Sequence, residues 1–241
     1  MHQALHLVCE ALAFIVAYRY YVRLRRREGD GIADADRMWI VIGAAAGALL
    51  GSRLLGALED PSLLAWDLRS LFTALNNRTI VGGLLGGLFA VELTKHFIGV
   101  RQRSGDLFVY PLILGMIIGR IGCAMAGLED NTYGVASDLP WAMDLGDGVR
   151  RHPTDLYEIL FLLFLWGALR VVQRRWRLAP GALFQLFLSA YLLFRLVIGS
   201  IKPAPDVLWK LGSIQVACVL GLLYYYRVWT RPAYLMERTD G

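Results

Sequence analysis

Residues 106–126 read DLFVYPLILGMIIGRIGCAMA, and the reading of this stretch decides the fold. Beyond Asp106 its one charged residue is Arg120, and its length matches the ~20 residues a helix needs to cross about 30 Å of hydrocarbon. Working outward, six further apolar blocks lie at about 3–21, 38–58, 79–99, 155–173, 181–200 and 207–227. The chain of 241 residues is 56% hydrophobic and 19% charged, more apolar than a soluble domain of its size. The pattern predicts an all-α integral membrane protein of seven transmembrane helices, built as a single domain over residues 1–241. The N-terminus begins Met-His-Gln without a basic n-region, and its cationic cluster follows the apolar run, unlike a cleavable signal peptide.

The loops between the blocks alternate in charge. Basic clusters follow the first block (Arg23, Arg25, Arg26, Arg27), the third (Lys95, Arg101, Arg103), the fifth (Arg170, Arg174, Arg175, Arg177) and the seventh (Arg227, Arg231, Arg238). The connections at 59–78, 127–154 and 201–206 are acidic or nearly neutral. The positive-inside rule therefore puts the N-terminus outside and the C-terminus in the cytoplasm. These clusters account for the net charge of +5 as topology signals, so no nucleic-acid partner is expected. The external loop 127–154 is rich in Gly, Pro, Asp and Asn, with a short strand or lip expected around Leu139–Leu145. Residues 61–75 form an amphipathic pattern expected to lie in the outer interface. Cys9, Cys123 and Cys218 show neither disulfide nor metal-ligand spacing, and no metal or cofactor is expected.

Charges inside a bilayer cost roughly 2.5–3.5 kcal/mol each, so each needs a reason. Arg53 is close enough to a helix end to snorkel, and Glu92 sits three residues before Lys95 as a solvated pair. His6 and Glu10 share a helix face, which suggests a polar pocket. Arg120 and Arg195 are harder to place, because apolar turns flank both. A guanidinium at that depth suits a phosphate or carboxylate, so the partner is either a buried acid, Glu10 or Glu158, or an anionic lipid head group. Gly82 and Gly83 read either as close helix packing or as bare backbone a head group could approach. In RHPTDLYE (151–158), Pro153 fits a helix start with His152 or a neighbour as cap, and Asp155 suits the helix dipole. His152 is a candidate proton carrier near neutral pH.

Four stretches in order, TIVGGLLGG (79–87), GRIGCAMAGLEDNTYG (119–134), RHPTDLYE (151–158) and FRLVIGSIKP (194–203), resemble the bacterial prolipoprotein diacylglyceryl transferase family. The resemblance implies an inner-membrane, multi-pass enzyme. Its reaction would move the diacylglyceryl group of phosphatidylglycerol onto the lipobox cysteine of a precursor lipoprotein, within the lipid bilayer. It also implies that Arg120 and Arg195 are the essential arginines, that Gly134 closes the arginine motif, and that Tyr157 and Glu158 belong to a Leu-Tyr-Glu motif. Glu129 corresponds to an acid of the signature. With the residues read above, the expected catalytic set is Arg120, Arg195, Glu129, His152 and Glu158. The expected substrate-binding set is Glu10, Gly82, Gly83, Gly134, Arg151, Tyr157 and Lys202. Val81 stands where many members have histidine, Cys123 and Ala126 where asparagines are usual, and Gly199 where a glutamate commonly follows the second arginine.

Two other readings use the same residues: a paralogue acting on the same lipid with another acceptor, and a non-catalytic lipid-binding protein or small transporter. A transporter would more naturally show inverted repeats, which the chain lacks. A pure binding protein has no need of titratable Glu129, His152 and Glu158 at the level of the arginines.

Overall fold

The computed structural model describes residues 2–59, 77–130, 132–202 and 211–236. Each apolar block becomes a helix whose ends follow from local chemistry. α1 (His2–Glu28) runs into Arg25, Arg26 and Arg27 and stops before Gly29 at φ 79°. α2 (Asp34–Ala57) opens on Asp34 and Asp36, acids that suit the positive end of the helix dipole. α3 (Ile80–Ile98) is capped by Thr79, whose hydroxyl accepts the Gly82 N–H, and closes on left-handed Gly99 at φ 73°. A 3-10 turn, Asp106–Phe108, leads into α4 (Val109–Ala126). α5 (Thr154–Arg175), α6 (Ala182–Gly199), α7 (Ser213–Tyr224) and the short α8 (Tyr226–Thr230) follow.

Helices α1 to α7 overlap the seven apolar blocks. The stretches of α2, α3, Asp106–Ala126 and α6 are long and apolar enough to cross a membrane. α7 is apolar but only 12 residues long, while α1 and α5, at 27 and 22 residues, are more polar. Phe89, Phe164 and Val197 stand exposed on the outer surface, an arrangement suited to hydrocarbon. Inside, Val81, Ile113, Leu162, Phe187, Leu188 and Leu192 are fully buried in one core.

α2 lies along α3, α1 along α4, and α5 and α7 flank α6. The α2–α3 contact is made by glycines. A Cβ on Gly51 would fall 2.4 Å from the Gly82 carbonyl oxygen, and one on Gly86 would fall 2.3 Å from that of Gly47. The two backbones touch because nothing larger than hydrogen stands between them.

Between α4 and α5, strands β1 (Met143–Asp144) and β2 (Arg150–Arg151) pair antiparallel, where the lip was expected. Main-chain bonds fix this loop to the entry of α5 and the exit of α6: Gly134 N–H donates to His152 O at 3.0 Å and Val135 N–H to Ile201 O at 2.8 Å.

Three expectations need correction or a limit. α5 starts at Thr154, so Pro153 is itself the cap residue and no side chain caps it. Lys95 is buried, 3.8 Å from an exposed Glu92, so the pair is not a solvated one. The interfacial helix over 61–75 lies outside the described residues.

Candidate active site

α5 enters the fold carrying Asp155 and Glu158, three residues apart and therefore on one face. That face meets α4 on one side and α6 on the other. The Arg120 Nε lies 3.0 Å from Glu158 Oε2, and Arg195 Nη1 donates to the same oxygen at 3.0 Å. Tyr191, one turn before Arg195, donates its hydroxyl to Glu158 Oε1 at 2.7 Å. Arg120 Nη1 also donates to Asp155 Oδ1 at 3.3 Å, and the Thr132 hydroxyl donates to Asp155 Oδ2 at 2.9 Å. The Thr154 hydroxyl completes the tie to the loop by donating to the Thr132 carbonyl.

Glu158 is 2% exposed and both arginines 5%, so three ions share a site with little solvent-accessible surface of its own. The Arg120 Nε contact is close but out of line for a hydrogen bond, which makes it an electrostatic contact. The Arg195 Nε has no hydrogen-bond partner among the described residues. The sequence left two partners open for these arginines, a buried acid or a lipid anion. Glu158 pairs with both, whereas Glu10 pairs with Arg78 at 2.6 Å.

The arginines also border open space. A cavity of about 1310 Å³ is lined by Arg120, Arg195, Lys202, Glu59 and Glu10, among others. Burial, and then repulsion from Arg195 and Arg120, lowers the Lys202 amine to about 8. Burial raises the Glu59 carboxyl, against the pull of Arg195 and Lys202. Arg120, Arg195 and Lys202 thus line a largely apolar space big enough for more than a drug-sized ligand.

Not every expected residue is here. His152 Nδ1 lies 3.2 Å from the Tyr157 hydroxyl, which also accepts from Trp141 Nε1 at 2.8 Å. This aromatic group sits at the lip, and His152 and Tyr157 are not among the cavity's lining residues. Arg151 is bound to Asp147 at 2.7 Å and lies over the Tyr133 ring, so it braces the loop. That pairing holds the Asp147 carboxyl down at about 2. Gly134 is a close-approach residue: a Cβ there would lie 2.7 Å from the His152 Cβ and 2.9 Å from the Ile201 carbonyl oxygen. Gly82 is occupied by packing, 2.3 Å from the Gly51 oxygen by the same construction, while a Cβ on Gly83 would meet ordinary contacts at 3.6 Å or more. Glu129 falls in the 3-10 turn Gly127–Asp130, and its side chain lies outside what is described.

The family departures also find places. Val81 is fully buried in the core. Cys123 lies 3.8 Å from Arg120 Nη1. Any side chain at Gly199 would collide with Gln215 of α7, which takes the Gly212 N–H at 3.0 Å and donates to Leu196 O at 3.3 Å. Tyr191 and Thr132 escaped the sequence reading. Tyr191 stands four residues before Arg195, a spacing that puts both on one helix face and could have flagged it.

The prolipoprotein diacylglyceryl transferase profile matches residues 5–229. Proteins named phosphatidylglycerol–prolipoprotein diacylglyceryl transferase are similar along most of their length. The one from Methylococcus capsulatus is 32% identical over 240 residues, covering 89% of this chain and 83% of the relative. That of Geobacter sulfurreducens is 32% identical over 241 residues, covering 95% and 85%. That of Thermotoga maritima is 30% identical over 226 residues, covering 87% and 73%. With a match that spans every helix of the site, the chain belongs to the prolipoprotein diacylglyceryl transferase family.

Proposed function

We propose that this enzyme transfers the diacylglyceryl group of phosphatidylglycerol to the lipobox cysteine of a precursor lipoprotein. The observation that carries the reading is the convergence of the buried Arg120 and Arg195, from separate helices, on one cavity that Lys202 also lines. In the reaction the glyceryl C–O bond to phosphate breaks and a C–S bond forms. The thiol gives up its proton, and glycerol phosphate leaves as a monoester. Charge develops on the phosphate oxygens, so preorganised cations lower the barrier most. Glu158 and Tyr191 hold the guanidiniums in place before the lipid arrives. The thiol proton needs an acceptor. Outside the arginine clamp, the described cavity-lining carboxylates are Glu10 and Glu59, and Glu10 is engaged by Arg78. Glu59, made more basic by burial, is the acceptor we favour.

The chain works as one bacterial inner-membrane domain in which the seven apolar blocks that α1 to α7 overlap all cross the bilayer, N-terminus outside and C-terminus in the cytoplasm. The alternation of basic and neutral loops supports this orientation. The lip at 127–154 then faces the compartment where precursor cysteines emerge.

Complementation of a strain depleted of its own transferase, scored by lipidation of a reporter lipoprotein, tests the reading. Wild type restores lipidation, while Arg120→Ala and Arg195→Ala each abolish it without loss of the inserted protein. Near-normal lipidation in either variant contradicts the clamp. A stably inserted wild type that fails to complement moves the activity to another acceptor.

A further inference from the structure

A second cavity, of about 1210 Å³, runs between the α2–α3 hairpin and α4, α6 and the α7–α8 junction. Its far end, at the start of α2 and the end of α3, is unlike its middle. There the described wall residues include Arg37, Lys95, Arg101, Arg103 and Arg227 against one carboxylate, Glu92. The middle is lined by small and apolar residues such as Ala44, Ala48, Gly87 and Leu88. An apolar trough that opens on a cationic mouth is shaped for an amphiphile with an anionic head.

The state of Arg37 adds an independent observation. It is 3% exposed, and Asp30 takes its Nε at 2.6 Å and its Nη2 as well. Its Nη1 is buried without a hydrogen-bond partner among the described residues. A guanidinium nitrogen left unpaired at that depth costs free energy unless a ligand oxygen meets it. Lys95, also buried, has among the described residues a carboxylate no closer than the 3.8 Å contact with Glu92.

This mouth is remote from the clamp. Arg37 sits 5.8 Å from the Phe108 ring, and Phe108 precedes Arg120 by twelve positions on the segment that becomes α4. At 1.5 Å per residue that is about 18 Å, more than half the thickness of the hydrocarbon. One phosphate cannot touch both sets of cations.

We infer that the α2–α3 trough binds an anionic phospholipid from the cytoplasmic leaflet, its phosphate held by Arg37 and Lys95 with Arg101 and Arg103 at the rim. The leaflet rests on the orientation proposed above; the site itself does not. A lipid there wedges the α2–α3 hairpin against the rest of the bundle, and it is not consumed.

Native mass spectrometry of the full chain in detergent tests this, with dioleoyl phosphatidylglycerol added to lipid-stripped protein. Wild type retains two lipids, one at each set of cations. The variant Lys95→Gln/Arg101→Gln, which spares the Arg37–Asp30 pair, retains one and binds the second about tenfold or more weakly, as expected for lost charge-assisted contacts. The lipid still held shows that the variant is folded. Arg120→Gln retains the trough lipid; if it keeps both while the trough variant loses one, the trough stands and the clamp reading fails. Two lipids held at wild-type affinity by the trough variant overturn the inference. Equal filling by dioleoyl phosphatidylethanolamine overturns the preference for an anionic head. Displacement of the second lipid by millimolar inorganic phosphate makes the site one for a free anion instead.

Discussion

Replacing Glu158 with glutamine tests the electrostatics of the site most directly. The isostere keeps the volume and an oxygen for Tyr191 but removes the charge shared by two guanidiniums at 3.0 Å. With an effective dielectric near 20, unit charges about 4 Å apart attract by roughly 4 kcal/mol. Two such attractions are set against the desolvation of three buried ions, and removing one partner of a buried pair costs about 3–5 kcal/mol net. Arg120 keeps Asp155 as a second partner, while Arg195 has no second carboxylate partner among the described residues, so the larger part of the loss falls on α6. Glu158→Gln is expected to melt on the order of 10 °C lower in lipid-free detergent. Added phosphatidylglycerol supplies a new negative charge, so it raises the melting temperature more in the variant than in wild type. Turnover falls about 100-fold, the scale of one misplaced oxyanion donor. Melting of wild type and variant at the same temperature without lipid would refute Glu158 as the counter-charge.

Three further outcomes follow from the geometry. Gly86→Ala forces backbone apart in the α2–α3 contact and is expected to destabilise by about 1–3 kcal/mol, whereas Gly83→Ala, with nothing nearer than 3.6 Å, leaves the melting temperature nearly unchanged. Lys202 is lowered to about 8 from 10.5, so its charged form is penalised in the folded chain. That penalty is fully present below pH 8 and is relieved as pH rises from about 8 to 10.5, where the unfolded chain holds more protons and stability increases. Over the same rise the lipid phosphate loses a cation, so KM for phosphatidylglycerol climbs above pH 8 in wild type and stays flat in Lys202→Arg. His152→Ala is expected to lose less than about tenfold in lipidation rate, against the 10²–10⁴ of a removed general base, with the pH–rate profile unmoved.

The helices were legible in the sequence because bilayer crossing demands long apolar runs, and composition alone reports those. Arg120, Arg195 and Glu158 were legible as well, since a charge in such a run is conspicuous. What one sequence cannot carry is which charge meets which. Glu10 and Glu158 were equal candidates until α5 placed Glu158 between α4 and α6, while Arg78 took Glu10. His152 looked like a base from its residue type and its motif. The turn into α5 directs it to Tyr157, away from the cavity. Tyr191 stayed hidden because a tyrosine in an apolar helix has many uses, and only a partner across the bundle singles one out. Glu59, next to a stretch rich in apolar residues, carried no motif at all.

The loop between α4 and α5 is fastened by main-chain bonds, from Gly134 to His152 and from Val135 to Ile201. An amide–carbonyl bond is blind to the side chain beside it. Apart from Trp141 and Asp147, whose side chains bind Tyr157 and Arg151, residues 136–150 can therefore be rewritten to suit different precursor segments while the anchorage of α5 and α6, and with it the spacing of the two arginines, stays put. Selectivity for the incoming polypeptide and the chemistry on the lipid can diverge at separate rates, joined by a hinge that substitutions between its anchors do not directly touch.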